Sequence, residues 1–380
     1  MAEIELPLLH DHHTHPLLYA AFESGVNLAD VETFEQAADL ITATAGKSEL
    51  VIAHAWKDNR FSISTEQLES LPPVAVFNLS LHAVVLNSRA KRILEDKFGS
   101  TVSEITNQHW FERNLRHVLN WFATLAGSPA ALVAFYERLE RLGIGSAEEM
   151  LLVGEQEIDW FEESGMASRT KFWAAPDTFV ELSSSAKAKI QGIKLFTDGA
   201  FGARTAAVTQ AYVDQSRNTG MLIYDEKKLQ ETLRDASQLK NAIAIHAIGD
   251  AAIEQTITAI EQTNINKKFD LIRIEHAQLI SLKQAQRAKE LGITLSMQPN
   301  FSSDSVAYSD RLPPAFCKQN NPFRMLIDEA GFVPGKDLIF GSDGMPHGAQ
   351  YAFTEATEPS LASQKLTKDE FLAGYQKTTR

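Results

Sequence analysis

Four histidines crowd the segment His10-Asp11-His12-His13-Thr14-His15-Pro16. His13 and His15 stand two residues apart just beyond an apolar run. In an extended chain that spacing turns both imidazoles to one side, as shared ligation of a cation requires. Taken alone, the cluster also reads as a solvated coincidence. Lys194 is embedded at the end of the apolar run in Ile193-Lys-Leu-Phe-Thr-Asp-Gly-Ala200. An unpaired ammonium there costs on the order of several kcal/mol, so something must neutralise it. Two answers are open: a salt bridge to Asp198 or another carboxylate, or carbamylation by CO2, which makes Lys194 an anionic oxygen ligand. Charge balance favours the second in a dinuclear site. Two Zn²⁺ bring four positive charges, neutral histidines and one aspartate return a single negative one, and a carbamate with a bridging hydroxide raises that to three.

His246 follows Ala242-Ile-Ala-Ile and His276 follows Leu271-Ile-Arg-Ile-Glu, so each is the polar residue that ends an apolar strand. Either histidine alone is more often structural, but the repeated placement points to ligation. Ile339-Phe-Gly-Ser-Asp343 puts a carboxylate in the same position, after a glycine that permits close backbone approach. Asp343 has the chemistry both to bind metal and to accept the proton of a nucleophilic water.

Such side chains need strand ends gathered at one rim. Short β-branched or aliphatic runs alternate with longer helical patterns, the signature of repeated βα units around a parallel sheet. Eight runs read as strands: 6–10, 149–153, 171–175, 192–196, 242–246, 271–275, 293–297 and 338–341. A barrel and a doubly wound sheet both fit this α/β pattern, and a barrel gathers strand-end residues at its C-terminal rim. Two further runs, 50–54 and 73–78, read as a small strand pair inside an insertion spanning 45–145. From Ser88 to about Glu163 the pattern is helical, with Trp110, Phe111, Leu115, Val118, Leu119 and Phe122 recurring at three and four residues. That segment is expected to cover the barrel mouth, with His109 and His117 as packing residues. No repeat, low-complexity tract or long linker interrupts residues 1–380, so one unit is expected.

The 380 residues are 44% hydrophobic and 22% charged, the composition of a soluble globular protein. No apolar run approaches the roughly 20 residues of a membrane span, so no membrane role is expected. The N-terminus, Met1-Ala-Glu-Ile-Glu-Leu-Pro-Leu-Leu9, lacks the basic region of a secretory signal, which makes the cytoplasm the expected compartment. Lys and Arg number 36 against 49 Asp and Glu, a formal charge of −13 that repels a phosphate backbone and excludes nucleic acid as the expected partner. A small molecule is expected instead. The single cysteine, Cys317, excludes an intrachain disulfide and a thiolate-built zinc site.

Together the motifs resemble the amidohydrolase superfamily, and within it the branch of N-substituted formamide deformylase-like enzymes. The matching stretches are Asp11-x-His13-x-His15, Ile193-Lys-Leu-Phe-Thr-Asp-Gly-Ala-Phe-Gly-Ala-Arg-Thr-Ala206, His246-Ala-Ile-Gly-Asp250, Arg273-Ile-Glu-His-Ala-Gln278, Met297-Gln-Pro299 and Gly341-Ser-Asp343. The resemblance implies a (β/α)8 TIM barrel with an insertion after its first strand. It further implies that His13, His15 and Asp343 hold one metal, that His246 and His276 hold another, and that carboxylated Lys194 bridges them, with Asp11 behind the ligands. The implied cofactor is one or two Zn²⁺ or another divalent ion. The implied reaction is hydrolysis of an amide-like C–N bond, of the N-formyl or N-acyl amine class, by metal-activated hydroxide, with Asp343 shuttling the proton. Competing readings are a deaminase or an ester or lactone hydrolase on the same scaffold, and a non-catalytic metal- or ligand-binding relative.

The resemblance also suggests that His82, in Leu81-His-Ala-Val-Val-Leu-Asn-Ser88, lines the substrate pocket, although Ser80-Leu81 replaces the Asp-Gly usual before it. Arg204 is a candidate both for orienting substrate and for bracing the 199–202 loop. After Asp343, Gly344-Met-Pro-His-Gly348 stands in place of the branch's Ala-Pro pattern, and His347 is expected to add a polar group near the mouth. Relatives carry a small β-sandwich built from segments before the first barrel strand and after the last barrel helix. This chain has almost neither, and 371–380 resembles that last helix. Either a shortened chain or a reduced fold that shields its flank as a homo-oligomer is expected.

Overall fold

The runs that read as barrel strands pair, in sequence order, into one parallel sheet. The computed structural model describes residues 5–23, 25–46, 49–79 and 81–376. Ser80 and residues 377–380 lie outside the described residues. Numbered along the chain, the strands are β1 (Leu9–Thr14), β2 (Val26–Asn27), β3 (Val51–Trp56), β4 (Val74–Asn78), β5 (Val84–Leu86), β6 (Ile144–Leu152), β7 (Thr170–Ala174), β8 (Ile190–Phe196), β9 (Ala242–Ala247), β10 (Leu271–His276), β11 (Thr294–Met297) and β12 (Leu338–Phe340). The eight-stranded sheet runs β1-β6-β7-β8-β9-β10-β11-β12, every pair parallel. It belongs to a compact unit made of residues 1–16 and 136–380.

Closure comes from the chain beyond β12. The Asp343 amide donates to the His13 carbonyl at 2.7 Å, and the Ser342 amide and hydroxyl donate to the two carboxylate oxygens of Asp11 at 2.9 and 2.5 Å. A Cβ on Gly341 would stand 2.4 Å from the His13 nitrogen, so only glycine lets the two ends meet. The result is the α/β barrel expected of the eight runs.

Helices between the strands cover the outside. Glu226–Leu239 starts at Asp225, whose side chain accepts from the Lys228 amide, and buries Leu229, Leu233 and Ala236 at helical spacing. Asp250–Thr263 buries Ile253, Ile257 and Ile260 and ends at Asn264 in the left-handed region (φ 50°). Leu282–Glu290 opens with a reciprocal Ser281/Gln284 cap. Every residue of β9 is buried, as a strand covered on both faces requires.

The second compact unit, Leu17–Phe135, has its own sheet in the order β2-β3-β4-β5, parallel except for the antiparallel β4/β5 pair. Val26, Leu28, Ile41, Val51, Val74 and Val76 are among its core residues. The strand pair read from the sequence is therefore half of a four-stranded sheet. β2 and β5 have two and three residues, too short for a periodic signal. The helical stretch expected over 88–163 also breaks: Ser88–Phe98, Gln108–Ala126 and Pro129–Arg141 are helices, but β6 begins at Ile144. Its first half is disguised by Gly145, Ser146, Glu148 and Glu149; Ser146 and Glu148 engage polar partners on β1 and β10. Among the described residues no single helix is long and apolar enough to cross a membrane.

Candidate metal centre

Each barrel strand that carries a candidate ligand delivers it near its C-terminal end: His13 and His15 at and just after the end of β1, Lys194 near the end of β8, His246 and His276 at the ends of β9 and β10, and Asp343 three residues past β12. His276 and Asp343 have positive φ angles, 70° and 53°. Non-glycine residues held there store strain on the order of 1–3 kcal/mol, which surrounding structure must support and which clusters at functional sites.

The histidines form a row, with ring centroids 5.7 Å apart for His15–His13, 4.6 Å for His13–His276 and 4.5 Å for His276–His246. Three of them are oriented from behind. His13 Nδ1 donates to Glu275 Oε2 at 2.5 Å, His276 Nδ1 to Gln298 Oε1 at 2.8 Å, and His246 Nε2 to the Gly199 carbonyl at 3.1 Å. A neutral imidazole carries one N–H, so each of these bonds puts the lone pair on the opposite nitrogen, the form a metal ligand needs. Burial, reinforced by neighbouring positive and imidazole groups, holds His13 and His276 well below the usual imidazole pKa, so they stay neutral. One ligand atom each from His13, His276 and Asp343 lies within 4.8 Å of the others. Asp343 Oδ1 is 3.4 Å from His15 Nε2 and 3.9 Å from His13 Nε2.

Lys194 is buried, and its Nζ has no hydrogen-bond partner among the described residues; it lies 4.9 Å from the Phe196 ring centroid. The salt bridge to Asp198 is not formed. Asp198 instead accepts from the amides of Ile248 (3.0 Å), Gly249 (2.9 Å) and Ala207 (2.9 Å), clamping the end of β9 to the loop after β8. Burial lowers the Lys194 pKa to about 8, against the pull of Glu275 and Asp343. An orphaned buried amine beside convergent neutral imidazoles and a carboxylate is a donor set that fits a divalent ion.

Glu275, Gln298 and Arg273 went unassigned in the sequence, although all three lie in the motifs quoted there. Arg273 Nε donates to Glu275 Oε1 at 2.7 Å, Nη1 to Glu148 Oε2 at 2.6 Å and Nη2 to the His12 carbonyl at 2.7 Å. The available signal was a charged pair inside the otherwise apolar run of β10. The Asp11 carboxylate accepts from Ser342 and from the His13 amide, and burial pushes its pKa up to about 7 despite those bonds. His347 is buried and faces the Thr14 hydroxyl at 2.8 Å. Arg204 donates from Nε to Asp214 at 2.6 Å, while the Gly202 carbonyl accepts from Arg311 at 2.8 Å. His82 belongs to the other unit, where its Nδ1 is 2.9 Å from Glu112 Oε2.

The sequence model of a family described as the amidohydrolase family matches residues 5–353. The Bacillus subtilis protein YtcJ is 24% identical over 339 residues, which is 76% of this chain and 61% of YtcJ, so the chain spans about three fifths of that relative. N-substituted formamide deformylase of Arthrobacter pascens is 29% identical over 111 residues, 29% of this chain and 20% of that enzyme. The solved structure of an uncharacterized metal-dependent hydrolase from Pyrococcus furiosus shares the fold with a TM-score of 0.70 at 23% identity, over 97% of this chain and 80% of that one.

Proposed function

This chain belongs to the amidohydrolase family, and on that premise we propose that it is a metal-dependent hydrolase of an amide-like C–N bond in an N-formyl or N-acyl amine. The observation that carries the reading is the convergence of His13, His276 and Asp343 beside the orphaned Lys194 amine. The similarity to N-substituted formamide deformylase supports the substrate class.

In this reading His13, His15 and Asp343 would hold one divalent ion of the zinc class and His246 and His276 a second, with Lys194, as a carbamate, the anionic ligand that would serve both. The low pKa of Lys194 supports the carbamate, because the amine must be neutral to attack. Its nitrogen then adds to the carbon of CO2 and releases a proton. When bound, the ions supply Lewis acidity and a water acidic enough to attack near neutral pH. Asp343 takes the proton released during attack and returns it to the leaving amine. Glu275 and Gln298 hold the rings of His13 and His276 in register for that arrangement.

The test is a panel of formamides, N-acyl amines and esters assayed on protein of measured metal content. Turnover of a formamide or N-acyl amine that disappears on chelation and returns with Zn²⁺ is expected. Turnover of esters alone would move the substrate class, and metal-loaded protein inert to the whole panel would count against hydrolysis.

A further inference from the structure

Below the centre, toward the N-terminal ends of the strands, a second set of side chains meets inside the barrel. His12 Nε2 lies 2.9 Å from the backbone carbonyl of Gln376 and His12 Nδ1 lies 3.1 Å from Glu148 Oε1. Both partners are acceptors. A carbonyl has no proton to give, so the His12 N–H must sit on Nε2, and the Nδ1 lone pair then points at a carboxylate oxygen. Glu148 is held as a carboxylate by the Arg273 guanidinium, whose Nη1 donates to its other oxygen at 2.6 Å. Two lone pairs facing each other at this distance repel unless a positive charge stands between them.

His10 supplies a third donor to the same point. Its Nε2 is 3.3 Å from Glu148 Oε1, and its Nδ1 is 2.7 Å from the Ser146 hydroxyl, which can accept the ring proton and leave the Nε2 lone pair facing inward. All three ligand atoms lie within 4.8 Å of one another on buried residues. Bonds of about 2.1 Å to an ion set neighbouring ligand atoms roughly 3.0–3.4 Å apart, the range of both separations from Glu148 Oε1. Two cations are close. Arg273 is engaged by Glu275 and by the other oxygen of Glu148, and Lys171 Nζ is 3.9 Å from Oε1 on a side chain that reaches solvent. Oε1 is therefore directed at the two imidazoles.

We propose that His10 Nε2, His12 Nδ1 and Glu148 Oε1 form a second metal site at the floor of the barrel, separate from the centre at its C-terminal rim and suited to a divalent first-row transition ion. Two imidazoles and one carboxylate select such an ion over Ca²⁺ or Mg²⁺, which prefer oxygen-rich sites.

The test uses the full chain, stripped with a chelator, reloaded with Co²⁺ and freed of excess ion. His10→Gln should bind one equivalent of cobalt fewer than the unaltered chain. Equal cobalt in the two proteins overturns the proposal. A crystal of the unaltered chain soaked in Zn²⁺ gives a reading that needs no variant. An anomalous-scattering peak between His10, His12 and Glu148 is expected, and its absence in a crystal with zinc at the rim overturns the site. Loss of rim zinc with the floor peak retained would count against the proposed function and not against this site.

Discussion

At the scale of the residue, the centre depends on which atom carries a proton. Lys194 is the sharpest case. Its pKa falls from 10.5 in the unfolded chain to about 8 in the fold, so between those values the unfolded chain holds a proton that the folded chain does not. Stability of the metal-free protein therefore rises with pH through that window, while below pH 8 both states are protonated and the cost of burying the ammonium stands in full. That cost corresponds to roughly 3 kcal/mol. In protein stripped of metal and bicarbonate, Lys194→Met should raise the Tm at pH 7 and abolish its increase between pH 8 and 10. A variant that unfolds at the same temperature as the parent, with the same pH slope, would mean that Lys194 is already neutralised in the fold. Asp343 is tested by chemistry instead. Asp343→Asn keeps the shape and one oxygen ligand but removes the charge and the basicity, so turnover should fall by about 10² or more with metal retained. Normal metal content with a near-parental kcat would remove Asp343 from proton transfer.

At the scale of the element, strand ends are placed by atoms outside the strands. Asp198 fastens the end of β9 by accepting three buried amides, from Ile248, Gly249 and Ala207. Asp198→Ala leaves those donors without an acceptor, at roughly 1–3 kcal/mol each. Thermal unfolding should show a loss of at least about 3 kcal/mol, and a change within about 0.5 kcal/mol would mean water replaces the carboxylate. Several barrel strands were legible because they are apolar runs with a polar residue near the end, as in Ala242–Ala247 and Leu271–His276. The same pattern exposed His13, His246, His276 and Asp343 as candidates. The first half of β6 was not legible, because Ser146 and Glu148 face polar partners inside the barrel and interrupt the apolar pattern. Glu275 was visible as a charge in an apolar strand, but its partner His13 lies 262 residues away, and no local spacing joins them. The Asp198 clamp was hidden in the same way: a carboxylate near a lysine reads as an ion pair until the amides of Ile248 and Gly249 are brought beside it by the fold.

At the scale of the molecule, the candidate ligands come from segments spread between His13 and Asp343 and meet only when the sheet closes. An ion that binds the closed barrel and not the unfolded chain stabilises it by about 2.7 kcal/mol when present at a hundredfold its Kd. On the proposed function, metal content, stability and turnover are linked through one geometry. The most direct measurement of that link is metal equivalents and turnover determined on the same preparation, for the parent chain and for a His13→Ala, His276→Ala double variant, using whichever amide the panel identifies. The variant is predicted to lose at least one equivalent of divalent ion together with its turnover, while remaining folded by circular dichroism. A double variant that keeps the parent's full metal content and its rate would contradict the assignment of this centre.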